Sequence, residues 1–317
     1  MKSAIAKVKS AIAPKDLASH LSHYLVKDRM VYASDNRLLA AAPFPLSGEF
    51  LVPGGEFEAV AEKFGDGVTV EVNPNHVIFR HGKMKATIQT LPLDTVNYQM
   101  PQGTWKDLPK DFLSALAKVR PFISENAVHY WALSVCLEKD HIYATNNVVV
   151  AAAECKGLEG EGRLLPSWAV DYILSRAEVL ETMISDPNSM TFLWSDGSWM
   201  KSLLVDSKFP ASAESLIEKM TEPTFSLSLA WKEAYSTVAG MSEALIEIYP
   251  DRMVGVSGHG QMEIEVASLA PDGGPSKWHK KFLDPVIAMA EFWQPDNWPK
   301  PAPFVGLGIR GLIIGRN

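Results

Sequence analysis

Two hydrophobic periodicities alternate along the chain. Ile5, Val8 and Ile12 are spaced by three and four residues, which places them on one apolar stripe of a helix. In residues 68–72, valines instead alternate with polar residues and lead into an Asn-Pro-Asn turn at 73–75, which predicts a half-buried strand entering a hairpin. Helices and strands that each have one apolar face predict an α+β fold, in which helices cover one face of an antiparallel sheet.

The first part of the chain is repeated at a shift of 111 residues. The heptapeptide at 3–9, Ser-Ala-Ile-Ala-Lys-Val-Lys, returns at 114–120 as Ser-Ala-Leu-Ala-Lys-Val-Arg, and the same shift aligns residues 32–42 with 143–153. Across this ungapped alignment, 12 of 40 positions are identical. A register kept over that length indicates a duplicated structural unit.

Each copy is predicted to run helix, strands, helix, strands. The second helix of a copy follows a short apolar strand that ends in proline, at Phe50-Leu-Val-Pro53 in the first copy and at Arg163-Leu-Leu-Pro166 in the second. Each copy therefore consists of two half-units with the same order of elements.

A third, degraded copy follows the first two. Trp231, Tyr235 and Val238 repeat the apolar spacing of the first helix, and Phe282-Leu-Asp-Pro285 is aligned with the strand that ends in proline. The chain is therefore predicted to contain three domains of six half-units in all, with boundaries at residues 1–103, 104–220 and 221–317.

Composition narrows the class of protein. Hydrophobic residues make up 47% and charged residues 21% of the 317 residues, as in an average soluble protein of two or three domains. The longest apolar runs, such as 148–153, are too short to span a bilayer, and Met1 opens a segment without a signal-type apolar core, so we expect a soluble cytoplasmic protein. Cys136 and Cys155 have no disulfide or metal spacing and fit a reducing compartment as small buried residues.

The net charge of −7 argues against a protein that is basic throughout. Lys and Arg against Asp and Glu number 11 to 10 in residues 1–103, 11 to 16 in 104–220 and 8 to 11 in 221–317. An acidic total with local basic stripes is compatible with DNA held at one surface. It is equally compatible with an ordinary acidic protein.

The order of these features resembles the bacterial β sliding clamp, the β-subunit-like processivity factor of DNA polymerase III, over nearly the whole chain. Besides the repeat, the resemblance includes the turn Ala-Thr-Asn-Asn-Val-Val at 144–149, the stretch at 202–210 that ends in Lys-Phe-Pro, and the apolar strand with a short basic tail at 311–317. The version is divergent, and the sequence leaves open whether a host or a phage encodes it.

The resemblance implies both a fold and a function. It implies three clamp domains, each with two helices packed on an antiparallel sheet, that close into a ring as a homodimer. Such a ring would encircle duplex DNA without sequence preference and tether the replicative polymerase, with no enzymatic activity, cofactor or metal.

In the family, helices line the central hole, so their cations would face phosphates without reading sequence. Lys7 and Lys118 occupy equivalent positions of the repeat, and so do Lys9 and Arg120. The third copy lacks cations at these positions, so its contribution is assigned to other lysines. The predicted DNA-facing residues are Lys7, Lys9, Lys118, Arg120, Lys232, Lys280 and Lys281. The alternative for each is a solvated helix face.

The resemblance also implies a groove that binds short peptides of the polymerase and the clamp loader. Its predicted residues are Thr145, Val148, Val149, Val150, Pro210, Ile313, Ile314 and Arg316. Where the family has a polar and basic stretch after the threonine, this chain has Asn-Asn-Val-Val-Val at 146–150, which predicts a more apolar wall. Taken singly, Val149 and Ile313 would more ordinarily fill a core.

No motif indicates an enzyme. Ser257-Gly-His-Gly260 lacks the strand-helix setting of a phosphate-binding loop, and the eight histidines show no paired metal spacing. Asp35 has Asn146 as its repeat equivalent, so the two copies share no acid there. Two further classes stay open: a protein-interaction scaffold of repeated α/β domains without a DNA role, and an enzyme with an unrecognised, dispersed site.

Overall fold

The computed structural model describes residues 1–13, 18–65, 67–96, 98, 100–271 and 274–315. The chain forms two compact units, each assembled from two segments: Met1–Leu108 with Asp171–Leu204 in unit 1, and Pro109–Val170 with Val205–Asn317 in unit 2. Each unit thus combines segments from different predicted domains. The division into three sequential domains stays a prediction.

The described residues contain seven α-helices. They are α1 (Lys2–Val8), α2 (Gly54–Phe64), α3 (Phe112–Val119), α4 (Ser167–Leu174), α5 (Ala211–Glu218), α6 (Leu229–Met241) and α7 (Lys280–Met289). The predicted α+β composition is confirmed by these helices together with the strands, all of which pair antiparallel.

The strands are short, and one to four of them follow each helix along the chain. They are β1 (His23–Lys27), β2 (Met30–Ser34), β3 (Leu38–Pro43), β4 (Phe50–Pro53), β5 (Thr69–Asn73), β6 (His76–His81), β7 (Met84–Gln89), β8 (Lys106–Asp107), β9 (Ser134–Glu138), β10 (His141–Thr145), β11 (Val149–Glu154), β12 (Arg163–Pro166), β13 (Leu180–Asp186), β14 (Ser189–Trp194), β15 (Trp199–Leu203), β16 (Phe225–Ser226), β17 (Leu245–Ile248), β18 (Arg252–Ser257), β19 (Gly260–Glu265), β20 (Ser276–His279), β21 (Phe292–Trp293), β22 (Ala302–Gly306) and β23 (Ile309–Ile313).

Unit 1 is built on an eight-stranded sheet in the order β4-β1-β2-β3-β15-β14-β13-β8, with a separate sheet β5-β6-β7. The two halves of the large sheet join where β3 pairs with β15, with Ala41 opposite Trp199. Trp199 is buried and its ring meets that of Tyr32 edge to face at 6.1 Å. Small alanines in β3 leave room for this large side chain in the core.

Unit 2 repeats this arrangement. Its eight-stranded sheet runs β12-β9-β10-β11-β23-β22-β21-β16, and a second sheet runs β19-β18-β17-β20. The order β12-β9-β10-β11 is that of β4-β1-β2-β3, and α3 packs on β10 and β11 as α1 packs on β2 and β3. The duplication predicted from the 111-residue shift is therefore confirmed in the order and packing of the elements.

The predicted apolar stripes lie against the sheets. Val8 in α1 is fully buried and Ile5 is nearly so. The third predicted residue, Ile12, is not on this helix: it follows the 3-10 turn Lys9–Ala11 in extended backbone and is half-buried. In α6, the three predicted residues of the third copy are all buried, and they are Trp231, Tyr235 and Val238. These stripes are what fix each helix to its sheet.

Two predictions of local structure need correction. Phe282–Pro285 is not the strand before the second helix of the third copy: it lies within α7, and β20 supplies that strand. The helical spacing of Leu283, Val286 and Ile287, all buried, outweighs the proline. The hairpin after β5 is confirmed, but β5 itself is largely exposed instead of half-buried: it lies at the edge of its sheet, and Val72 is 42% exposed.

Several smaller expectations are also resolved. Cys136 and Cys155 are free thiols and fully buried, as predicted. Five of the nine tryptophans have almost no exposed surface, so packing is their role: Trp194, Trp199, Trp231, Trp278 and Trp293. Among the described helices, none is both long enough and apolar enough to cross a bilayer.

Candidate functional site

The turn between β10 and β11 in unit 2 is fixed by its own side chains. The Thr145 hydroxyl donates to the Val149 carbonyl oxygen at 2.8 Å and accepts from the Asn147 N–H at 3.2 Å. The Asn146 side-chain oxygen accepts from the N–H groups of Val148 and Val149 at 3.1 and 2.8 Å. Asn147 adopts a positive φ of 70°, which asparagine tolerates better than most residues. The Ala-Thr-Asn-Asn sequence therefore specifies this turn.

The C-terminal strand lies beside that turn. β23 pairs with β11, with Val150 opposite Leu312 and Val149 opposite Ile313, and the Ile314 N–H donates to the Val148 carbonyl at 2.9 Å. The two strands are close because Gly311 has no side chain: a Cβ there would collide with the Val150 carbonyl oxygen. Two segments far apart in sequence thus form adjoining walls within unit 2.

An open apolar groove of about 150 Å³ lies between these walls and α5, and we call it the anchor groove. Its lining residues are Trp131, Thr145, Asn147, Val148, Val149, Val150, Pro210, Ser212, Ala213, Leu216, Pro301, Leu312 and Ile314. At its rim, the side chains of Leu216 and Ile314 are about half exposed, at 48% and 49%. An apolar groove with an exposed apolar rim suits a partner's side chains.

Six of the eight predicted groove residues line the anchor groove, and they are Thr145, Val148, Val149, Val150, Pro210 and Ile314. Ile313 does not line it: it is buried, since alternate side chains of a strand point to opposite faces. Arg316 lies outside the described residues.

Sequence reasoning missed Leu312, Leu216, Pro301 and Trp131. The alternation with Ile314 could have indicated Leu312. Trp131 and Pro301 carry no such signal, because they reach the groove from a 3-10 turn and a loop whose positions depend on the tertiary fold.

The predicted DNA-facing cations differ in how far their charge is already compensated. Lys9 forms an ion pair with Glu58 at 2.5 Å, and Lys281 forms one with Glu125 at 2.8 Å. Lys118 is half-buried on α3 and has no ion-pair partner among the described residues. Arg120 is half-buried in the 3-10 turn that follows α3.

Two lysines of the third copy are brought together. Lys232 on α6 and Lys280 on α7 line one cleft of about 450 Å³ in unit 2, and Lys280 also donates to the Ser242 carbonyl at 3.5 Å. In the same cleft, the Tyr235 hydroxyl donates to Asp284 at 2.7 Å. Neither lysine has an ion-pair partner within the part of the chain that the structure describes.

Lys7 belongs to a compact ionic cluster in unit 1. Its ammonium contacts Asp196 and lies 2.8 Å from Glu178, and only 21% of its side chain is exposed. Arg176 donates to Glu178 at 2.9 Å while its guanidinium lies 4.7 Å from the centre of the Trp194 ring. Burial alone would lower the pKa of Lys7, but the bonds to the two carboxylates outweigh it and raise the pKa.

The same cluster predicts how unit 1 responds to acid. Burial opposes ionisation of Glu178 and Asp196, yet hydrogen bonds from Lys7, Arg176 and Ser198 prevail and lower the pKa of each carboxyl to about 2. A carboxyl with a depressed pKa stabilises the folded state above its unfolded pKa, and that contribution is lost as the pH falls through the folded value. The cluster is therefore fully stabilising above about pH 5 and lost towards pH 2.

When the pH is lowered from about 5 to about 2, we expect the melting temperature of the wild type to decrease. The decrease should be about 3 °C larger than that of Glu178→Gln/Asp196→Asn. Thermal melts by circular dichroism over that pH range measure the difference. Glu71→Gln, which alters the exposed pair with Arg80, is the matched control and should melt like the wild type. Parallel slopes for the wild type and the double variant would contradict the role of the cluster.

Among the residues that the structure describes, one group of side chains has metal-ligating atoms within 4.8 Å of one another: Cys136, Glu138 and Glu214. Burial raises the pKa of the Cys136 thiol, and burial together with Glu138 and Glu218 raises that of Glu214. A cation would have to displace the thiol proton, and we assign no metal here.

The architecture of both units, with its repeated half-sheets and a groove beside the C-terminal strand, defines the class of fold as that of a DNA clamp. Solved structures of bacterial β sliding clamps are similar to the whole chain. The clamp of Caulobacter crescentus matches with a TM-score of 0.81 and 17% identity, over 100% of this chain and 96% of that one. The Bartonella birtlesii clamp bound to griselimycin matches at 0.84 and 15% identity, with 100% and 96% covered.

A third structure is the Helicobacter pylori β clamp bound to a DNA ligase peptide, with a TM-score of 0.80, 15% identity and 100% and 97% of the two chains covered. No protein-family model and no curated protein sequence matches the chain. The likeness therefore lies in the fold, and it confirms the resemblance to β sliding clamps predicted from the sequence.

Proposed function

We propose that this protein is a DNA sliding clamp, a processivity factor that encircles duplex DNA and tethers the replicative polymerase. The observation that supports the proposal is the full-length likeness: the match covers all of this chain and 96–97% of three bacterial clamps at TM-scores of 0.80–0.84. In this proposal the protein acts in the cytoplasm by tethering and catalyses no reaction.

The contact with DNA is proposed to be weak, electrostatic and independent of the DNA sequence. Among the predicted cations, Lys118, Lys232 and Lys280 support it most, since they have no ion-pair partner among the described residues. Lys9, Arg120 and Lys281 are proposed to contribute less, because ion pairs or other contacts already engage them. Lys7 is proposed to act only indirectly, by fixing α1 through its ionic cluster.

The partner is proposed to be a linear peptide of a polymerase or a clamp loader bound in the anchor groove. Clamps with this fold bind a DNA ligase peptide in Helicobacter pylori and griselimycin in Bartonella birtlesii. The Thr145 hydroxyl is occupied within its own turn, so the groove offers few side-chain donors. A bound peptide would depend on buried apolar anchors, with backbone groups supplying most hydrogen bonds.

The ring is proposed to be a homodimer. Six half-units per chain need a second chain to complete the twelve of a closed clamp ring, and a head-to-tail closure joins the first part of one chain to the last part of the other. β5 and β19 are edge strands with a single partner each among the described residues. Val72 on β5 exposes 42% of its surface, so its side chain is available to an interface at this edge.

We expect the wild type to be a dimer at micromolar concentration in light scattering and Val72→Asp to be a monomer, because a carboxylate in an apolar strand interface is left unpaired. The matched control is Val179→Asp, whose valine is 68% exposed in the same unit and which should remain a dimer. A trimer in the wild type, or a dimer in Val72→Asp, would contradict this arrangement.

The direct test of the proposed function is electron microscopy of the purified protein. We expect rings with a central hole wide enough for duplex DNA. Compact particles without a hole would instead favour the interaction scaffold without a DNA role, and turnover of a substrate by the purified protein would favour an enzyme.

A further inference from the structure

A second and larger cavity adjoins the anchor groove in unit 2. It has a volume of about 530 Å³ and shares Leu216, Pro301 and Leu312 with the anchor groove. We call it the flank cavity. Its remaining lining residues are Lys219, Met220, Thr221, Glu222, Thr224, Gln294, Asn297, Lys300 and Pro303. A peptide that leaves the anchor groove past these shared residues would reach the flank cavity next.

The walls of the flank cavity are held in place by hydrogen bonds. The Thr224 N–H and hydroxyl donate to the Gln294 side-chain oxygen at 2.9 and 3.2 Å, and the Gln294 amide donates to Asp296 at 2.8 Å. The Asn297 amide donates to the Pro301 carbonyl. These bonds tie the segment before β16 to the loop between β21 and β22, so the cavity is formed before any partner binds.

The charge that lines the flank cavity is unbalanced. Lys219 and Lys300 are exposed, and neither has a carboxylate partner among the described residues. Glu222 is the one carboxylate among the described lining residues, and Arg310 binds it at 2.8 Å. Two free ammonium groups therefore face the cavity beside an apolar floor of Leu216, Met220 and Leu312.

We propose that the flank cavity binds an acidic stretch of the partner peptide, with one or two Asp or Glu residues next to the apolar anchor. This inference rests on the proposed function of the anchor groove. The anchor residues supply most of the affinity, and the carboxylates select among peptides with similar anchors. Because both lysines are exposed, this selection is modest and weakens as salt rises.

The test uses a random-sequence peptide display library selected on the purified full-length protein, followed by titration of the recovered peptides by fluorescence anisotropy. The variants are Lys219→Glu/Lys300→Glu and, as a matched control, Lys110→Glu/Lys139→Glu, whose lysines are exposed in the same unit outside both cavities. Ile314→Asp, which places a charge in the anchor groove, reports separately on the proposed function.

We expect the wild type to enrich peptides that carry acidic residues beside apolar ones. Compared with the wild type, Lys219→Glu/Lys300→Glu should bind such an acidic peptide about tenfold more weakly. For the same peptide with Asn or Gln in place of its acidic residues, the loss should be less than about twofold. The control pair should bind both like the wild type. The difference should shrink at about 1 M salt, where the screening length is about 3 Å.

Each further outcome has one meaning. Recovered peptides that lose binding to Ile314→Asp but show no preference for acidic residues would overturn the flank cavity proposal and leave the anchor groove proposal in place. The same conclusion follows if Lys219→Glu/Lys300→Glu weakens acidic and neutral peptides equally. If no recovered peptide depends on Ile314, the anchor groove is itself wrong as the partner site, and the flank proposal fails with it.

Discussion

The protein is first mixed with linear duplex DNA, and the ends of the DNA are then blocked with bulky groups. We expect the protein to remain on this DNA at about 1 M salt. Electrostatic contacts are screened at that ionic strength, so a protein held by its lysines alone dissociates. A closed ring that has threaded onto a free end is held by topology instead. One cut between the blocked ends should then release nearly all of the retained protein.

Two controls isolate topology from charge. DNA that is blocked before the protein is added should retain almost none, because no end is free for threading. Lys118→Ala/Lys232→Ala/Lys280→Ala should weaken binding at low salt but leave high-salt retention on blocked DNA unchanged once threaded. If salt strips the wild type from DNA whether or not its ends are blocked, the protein does not encircle DNA.

On the proposal that the anchor groove is the partner site, griselimycin should bind the wild type there, and Ile314→Asp should weaken that binding by about 100-fold, or about 2.7 kcal/mol, as measured by isothermal titration calorimetry. Ile314 is half exposed in the free protein, so the change leaves the core intact. Once an apolar ligand covers the anchor groove, the new carboxylate loses its water, and the described lining residues of the groove include no cation to replace it. Griselimycin serves as the probe because it binds clamps with this fold in Bartonella birtlesii and Pseudomonas aeruginosa.

Leu307→Asp is the matched control for this variant. Leu307 lies in the same unit, is 60% exposed and does not line the anchor groove. Its substitution should therefore leave the affinity for griselimycin unchanged. A dissociation constant for Ile314→Asp within twofold of the wild-type value would place the ligand site elsewhere. Equal losses in both variants would indicate a general effect on unit 2 rather than a groove contact.

Much of the architecture could be predicted from the sequence because local patterns and the repeat agree. The apolar spacing of Ile5 and Val8 defines α1, and the 111-residue shift carries the same element order into the second copy. The hydrophobic pattern gave a wrong prediction where the spacing fits both a strand and a helix. Around Pro285, a proline after apolar residues looks like the end of a strand, but the buried residues on both sides of it, Leu283, Val286 and Ile287, keep a helical spacing.

The anchor groove could be predicted only in part, for a physical reason. Thr145 and the valines after it form a contiguous turn, so the family resemblance located them. Trp131 and Leu216 reach the groove from a 3-10 turn and from α5, and no local pattern specifies that they converge. The partners of charged residues are equally non-local: Lys7 meets carboxylates at 178 and 196, far along the chain.

The pairing of β11 with β23 has a consequence for synthesis of the protein. While the chain is being translated, β11 is complete long before Ile309–Ile313 has left the ribosome, so its apolar edge Val149–Glu154 waits without its partner strand. Unpaired apolar edges are templates for association between chains. A chain that lacks β23 keeps that edge unpaired, so such products should aggregate through β11, and pairing with β23 is what covers the edge.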